Sequence, residues 1–497
     1  MKKFFRENKY YLLAGLVVIF LYFVRLYNLT LLPVFADEAI YIRWAQVMRA
    51  EETLRFLPLS DGKQPLFMWV MIPFLKIFSD PLFAGRFLSV LTGFGTMVGI
   101  GVLSYLLFKN KTVALVASFT SCLLPFTFFF DRMALVDSML SCFGIWTFIF
   151  SYLSITKNRL DFAMIAGFTL GGAWLTKSPA LFFVILLPTL LIFSKNYLKS
   201  LLYVLCSLIL AYGFYNILRL GPNYHLLASR NLDYVYPLSH FMTSPFDPLK
   251  PFLLQSWQWI LMMSGVSVVA ALALGYYVNF KKYWKELLVL TIWFVAPIFV
   301  MSEFAKVLTA RYILFTISYF VILFSTIFLS ANKLIQKISL VAVVIFVFLS
   351  IKFNYFLLTN PQKANLPQSE RSGYLEDWTA GYGIKESTDY IVKEYLKNPN
   401  QVIVVGTEGY FGTLPDGAQI YLNNYKNIIV KGVGLDIKSV NESLLASKKA
   451  GNKTYLLVNS TRLNNSFDKN SVYLIESYKK AVKPDGSYES LLFLEIK

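Results

Sequence analysis

Apolar stretches close to the ~20 residues needed to cross a bilayer recur almost without pause from Tyr10 to Phe356, and nothing else constrains the chain as strongly. Eleven spans are expected, at about 10–28, 82–108, 112–130, 134–156, 161–176, 179–194, 199–219, 256–279, 285–302, 311–330 and 335–356. Residues 65–78 are too short and too interrupted by Pro to cross, and read as a re-entrant or interfacial segment. No small-residue cleavage site follows the first stretch, so it reads as a span rather than a signal peptide. Composition agrees: 56% of the 497 residues are hydrophobic and 15% charged, against roughly 25% charged in soluble domains. An ordinary soluble enzyme is thereby excluded. A content of 17% aromatic residues likewise excludes disorder. Cys122, Cys142 and Cys206 all lie in apolar runs and read as small buried hydrophobes rather than a disulfide or metal framework.

The net charge of +18 could suggest nucleic acid, so its distribution matters. Residues 1–356 hold 30 Lys+Arg and 14 Asp+Glu, a net +16; residues 357–497 hold 17 and 15, a net +2. The excess belongs to the membrane part, and no nucleic-acid partner is implied. With the N-terminus inside, Lys2, Lys3, Arg6, Lys9 and the cations of alternate loops total 15, opposed only by Glu7, Asp161 and Glu286. That bias is the positive-inside pattern. It predicts an odd number of spans, a cytoplasmic N-terminus and an extracytoplasmic C-terminal domain on a plasma (inner) membrane. Two long outer loops, 29–64 and 220–255, complete domain 1–356.

Residues 357–497 alternate strand-like runs with polar segments, at 402–406, 427–433, 454–459, 471–477 and 490–496, after a helix-like 387–398. A small α/β domain is expected, joined through a linker at 359–370. Gly406 to Gly412 superficially suggests a nucleotide loop, but Pro415 follows where a helix is needed, and a turn is expected.

Candidate chemistry gathers on the outer side. Asp37 and Glu38 open a helix-like run in the first outer loop, where a helix N-terminus stabilises an anionic base; the bland reading is capping by Asp37. Lys63, Arg86, Asp131, Arg132, Asp137, Lys177 and Arg311 fall on the same side. Charges in or beside spans cost a few kcal/mol each unless a partner or polar cavity receives them. Arg86 and Arg132 also suit snorkelling or structural pairing. In GGAWLTKSP, the Gly pair before Lys177 lets helices approach closely. Carboxylates beside fixed cations at one membrane face suit a phosphate-bearing substrate that arrives through the lipid. His225 and His240, without a nearby acidic cluster, make a weak metal site. Glu376 to Gly383 is either a lid over a cavity or a turn against the membrane domain.

The ordered set Asp37-Glu38, KQPL (63–66), DRMALVD (131–137), LTKSP (175–179) and ARY (310–312) resembles the dolichyl-phosphate-mannose protein mannosyltransferase superfamily, which includes the aminoarabinose transferases. The likeness covers about residues 10–330. It implies a GT-C fold and an inverting glycosyltransferase that moves a monosaccharide from a polyprenyl-phosphate carrier to an acceptor hydroxyl of protein, lipid or glycan. It makes Asp37 the base, Glu38 its partner, Lys63, Lys177 and Arg311 the donor-phosphate contacts, and Asp137 the support of the cation network, with Arg86, Asp131 and Arg132 as further supporting residues. No cofactor is required in this scheme, and a divalent metal has no support in the sequence. Gln64, Gly62 and Ile40 depart from the aminoarabinose subgroup and argue against that sugar. A lipid-linked-sugar flippase and a non-catalytic scaffold are the alternatives; one-sided clustering of charge and the absence of a repeat favour the enzyme.

Overall fold

The computed structural model describes the backbone of residues 2–497 and the side chains from Lys9 onward. The side chains of Lys2, Lys3, Arg6 and Glu7, on which the orientation argument partly rests, lie outside the described residues. The chain is a helical polytopic membrane protein carrying a small C-terminal sheet. It divides into two compact units: Met1–Asn28, Thr53–Trp69 and Arg86–Pro367 form one, and Leu29–Glu52, Val70–Gly85 and Gln368–Lys497 the other. Residues 29–52 and 70–85 therefore group with the C-terminal residues.

Among the described residues, seven helices are long and apolar enough to cross a membrane, and shorter apolar helices run over Lys111–Leu123, Leu160–Thr176 and Ser178–Phe193. Every expected span falls on such a helix, and one is broken. The span at 112–130 breaks where Pro125 lacks the N–H that a continuing helix needs. That at 161–176 stops at Lys177, whose backbone is extended (φ −161°, ψ 145°), and Ser178–Phe193 tightens into 3₁₀ turns. The spans at 256–279 and 285–302 are not divided by the expected loop. Helical residues Val266–Phe304 are instead interrupted only at Tyr283 (φ −124°, ψ 32°), and Gly265 (φ +88°) separates them from Leu249–Ser264. Leu66–Ile77 is a 12-residue helix, shorter than a span, as expected for residues 65–78. Leu16, Phe20 and Phe348 are 64, 75 and 69% exposed, a surface that only lipid can solvate cheaply.

Close helix approach depends on the glycines before Lys177. A Cβ on Gly171 would come within 2.7 Å of Phe214, and one on Gly172 within 2.6 Å of Phe143. Ser207 Oγ donates to the Ala163 carbonyl at 2.8 Å across the same helix pair. An aromatic cluster fills the interior: Trp293 stacks on Phe183 and meets Phe148 and Tyr319 edge-on.

Charge is also buried here. Arg25 is wholly buried and forms an ion pair with Asp131, while its Nη2 donates to the carbonyls of Ser121 and Cys122, each at 2.9 Å. Asp131 further accepts from Ser138 Oγ at 2.7 Å and Tyr22 OH at 3.5 Å. Arg132 donates to the carbonyls of Arg25, Tyr27 and Asn28. Asp131 and Arg132 thus clamp the end of the first span onto the 131–133 turn.

In the second unit, β1 (Ile403–Thr407), β2 (Ile428–Gly432), β3 (Lys453–Asn459), β4 (Val472–Lys479) and β5 (Ser490–Ile496) form one sheet in the order β2-β1-β3-β5-β4. All five strand-like runs are strands, and the helix-like run is helix Ile384–Lys397. β1 is parallel to β2 and to β3, whereas β5 is antiparallel to β3 and β4. Parallel neighbours require crossovers. Helices Thr413–Leu422 and Glu442–Lys449 supply them, and the sequence reading lacked both. Pro415 does not prevent the first, because a helix's first-turn N–H groups have no intrahelical partner to lose. The turn expected at Gly406 to Gly412 is real, with Gly409 and Gly412 at φ +72° and +103°, but it delivers the chain into a helix.

Two stability tests follow. Asp131→Asn leaves the Arg25 guanidinium without its anion and should cost about 3–5 kcal/mol, read as a lower unfolding midpoint in detergent; adding Arg25→Met should recover part of that loss. Asp416, buried and with Gly412 N–H and Arg43 opposing the effect, has its carboxyl raised by burial from 3.8 to about 6. The folded state then binds a proton that the unfolded chain releases, so this contribution to stability falls as pH rises from 3.8 to about 6. Asp416→Asn should flatten the midpoint's pH dependence across that window and raise the midpoint above it.

Candidate functional site

The charged residues fall into two groups, one in each unit. In the second unit, helix Ala36–Ala50 begins after Phe35, whose backbone is extended (φ −92°, ψ 154°). Glu38 Oε2 accepts the Phe35 N–H at 3.0 Å, and Glu38 is fully buried. The capping role considered for Asp37 therefore falls to Glu38, and Asp37, half-buried in the same first turn, retains access to solvent. Both carboxyls lie where the helix dipole favours the anion.

Residues 34–36 are held by the segment expected to be a lid or a turn against the membrane helices. Phe35 bridges Ala380 antiparallel, Ala36 N–H donates to the Thr379 carbonyl at 3.2 Å, and Gly381 N–H donates to the Val34 carbonyl at 2.9 Å. The Phe35 ring packs on Tyr374 with centroids 4.3 Å apart. Further along the helix, Arg43 donates to Asn423 Oδ1 at 2.6 Å and Gln46 Nε2 to the Ile420 carbonyl at 2.9 Å. The acidic pair is thus mounted on residues more than 300 positions away in sequence. No local pattern could have revealed that.

In the first unit, four of the sequence motifs meet. Gln64 of KQPL donates from Nε2 to Ser178 Oγ of LTKSP at 2.8 Å. Lys177, beside that serine, pairs with Asp137 at 2.6 Å, and its Nζ lies 4.1 Å from the centre of the Tyr312 ring. Arg311 is 9% exposed, and its guanidinium lies 5.4 Å from the same ring. Tyr312 was overlooked as a site residue, although its place in ARY was visible: an aromatic face between two cations orients both. Lys63 pairs with Asp61 at 2.9 Å, with both side chains about a quarter exposed. Arg86 is buried in Pro81–Phe108. Arg25, the anchor of Asp131, was also overlooked, though a cation at the end of an apolar span signals a partner.

Among the described residues, no group of three or more His, Cys, Asp or Glu side chains could hold a metal ion. His240 stacks on Tyr236 at 4.0 Å, its Nε2 lying 2.5 Å from the Asp247 carbonyl oxygen. His225 precedes helix Leu226–Tyr234.

Comparison with known proteins agrees with this architecture. The dolichyl-phosphate-mannose-protein mannosyltransferase family model matches residues 62–218, a stretch that contains KQPL, DRMALVD and LTKSP. No curated protein matches the chain. Among solved structures, ArnT from Cupriavidus metallidurans in the apo state superposes with a TM-score of 0.55 at 14% identity, covering 98% of both chains. The same protein bound to undecaprenyl phosphate gives 0.53 at 15% identity, again over 98% of each. The chain has the GT-C fold.

A Cβ on Gly381 would come within 2.5 Å of the Val34 carbonyl oxygen. Gly381→Ala should therefore displace the residues that introduce Asp37. Overpacking of this kind costs about 1–3 kcal/mol. The expected result is a lower unfolding midpoint in detergent than that of the wild type.

Proposed function

We propose that the chain is an inverting glycosyltransferase that takes a monosaccharide from a polyprenyl-phosphate carrier at the extracytoplasmic face of the plasma membrane. The observation that carries this reading is the meeting of Lys177, Asp137, Tyr312 and Arg311, tied to KQPL through Gln64 and Ser178. The fold shared with ArnT supports it.

In the reaction, the Asp37 carboxylate accepts the proton of an acceptor hydroxyl while the hydroxyl oxygen bonds to the sugar's anomeric carbon. The carbon–oxygen bond to the carrier phosphate breaks on the opposite side, inverting the centre, and the polyprenyl phosphate departs with the electron pair. Lys63, Lys177 and Arg311 stabilise the charge that grows on that phosphate. Asp137 holds Lys177 in place, and Glu38 fixes the helix start that presents Asp37. Arg86, Asp131 and Arg132 act through the scaffold. No step calls for a resident cofactor or metal.

The test is transfer of radiolabelled sugars from polyprenyl phosphate into protein, lipid and glycan fractions, with several donors in parallel. A general base contributes typically 10²–10⁴-fold, so Asp37→Asn should lose turnover by that much and still bind donor. Lys63→Met should raise the donor KM by about tenfold to a hundredfold, the worth of one charge-assisted hydrogen bond. Chelation with EDTA should leave transfer unchanged. Equal label with Asp37→Asn would remove Asp37 as base, and no label from any donor with folded protein would favour the flippase.

A further inference from the structure

A polar cleft of about 780 Å³ lies within the second unit, lined by the C-terminal half of helix Ala36–Ala50, residues 75–81, and the helices Ile384–Lys397 and Thr413–Leu422 with the turn that follows. Gln46, Asn423, Asn424 and Tyr425 line it with amides and a phenol. Such groups present donors and acceptors side by side, as vicinal hydroxyls require. Gln46 spends its Nε2 on the Ile420 carbonyl and its Oε1 is buried, so it ties the wall together and leaves the exposed amides of Asn423 and Asn424 to face a ligand.

Charge narrows the ligand further. Asp80 caps the next helix by accepting from the N–H groups of Leu82 and Phe83, and Asp389 is paired with Lys385. Both carboxylates are therefore committed. The remaining cations on the lining, Arg49 and Lys76, are exposed and have no carboxylate within ion-pair distance among the described residues. Pro81, on the same wall, opens the 28-residue apolar helix, so the cleft borders the point where the chain enters the bilayer.

We propose that this cleft binds an anionic saccharide at the membrane surface, docking the glycan part of the acceptor; this rests on the transferase reading above. Gln46 is nine residues from Asp37 on one helix, about 14 Å along its axis. The cleft is accordingly a docking subsite, separate from the hydroxyl that reacts. The acidic group pairs with Arg49 and Lys76, and the ring hydroxyls meet Asn423 and Asn424.

The test is direct binding to the full-length chain in a non-glycosidic detergent, by saturation-transfer NMR, using trigalacturonate, maltotriose and inorganic phosphate as probes. Trigalacturonate should bind at least about tenfold more tightly than maltotriose, the worth of one charge-assisted contact. The doubly substituted R49A/K76A should reduce it to the level of maltotriose. Asn424→Trp, which fills the cleft from an exposed position, should abolish both, with Asn424→Ala as a milder control and an unchanged unfolding midpoint in each. No binding of trigalacturonate by wild type, undiminished binding by Asn424→Trp, or phosphate alone binding as tightly would overturn the proposal. Because binding needs no donor, it separates from the transfer assay: label transfer without saccharide binding removes the cleft and keeps the transferase, and cleft binding without transfer does the reverse.

Discussion

A guanidinium buried among apolar helices has to be met by an anion and by carbonyls, or the helices cannot close around it. Arg25 sets that requirement here, and Asp131, Ser121, Cys122 and Thr127 meet it. Once Asp131 is held, Ser138 and Tyr22 complete its coordination, and Arg132 gathers the three carbonyls that end the first span. This polar knot fixes the turn from which the helix carrying Asp137 departs. Asp137 in turn places Lys177. The position of Lys177 therefore follows from satisfying one buried charge more than a hundred positions away in sequence.

The acidic pair has a different support. Asp37 and Glu38 lie early in the chain, yet residues 34–36 are stitched to 379–381, and Arg43 and Gln46 are tied to the helix of the α/β domain. The C-terminal residues are thus structural to the first outer-loop helix rather than an appended accessory. That gives the domain a structural role of its own, and it puts the polar cleft on the helix that carries Asp37 and Glu38.

Periodicity made the spans and strands legible because both are local: a run of apolar residues must avoid water, and alternation marks a half-buried strand. The break at Pro125 was harder, since it interrupts a stretch that stays apolar throughout. The crossover helices Thr413–Leu422 and Glu442–Lys449 escaped because β1, β2 and β3 reveal their parallel order only once paired. Within the candidate site, every charged residue was visible, but the roles were not. Asp37 and Glu38 exchange the capping function, and Tyr312 becomes the face shared by Lys177 and Arg311.

By itself the sequence determined that this chain lives in a membrane as a helical bundle with an α/β appendage, because hydropathy and period are properties of neighbours along the chain. It also supplied the charged residues and their order. Only the tertiary structure decided which charges meet, which are consumed as structural pairs, and that residues 379–381 hold the start of the acidic helix. Those outcomes depend on contacts between residues from 40 to more than 300 positions apart, whose geometry no local window of sequence contains.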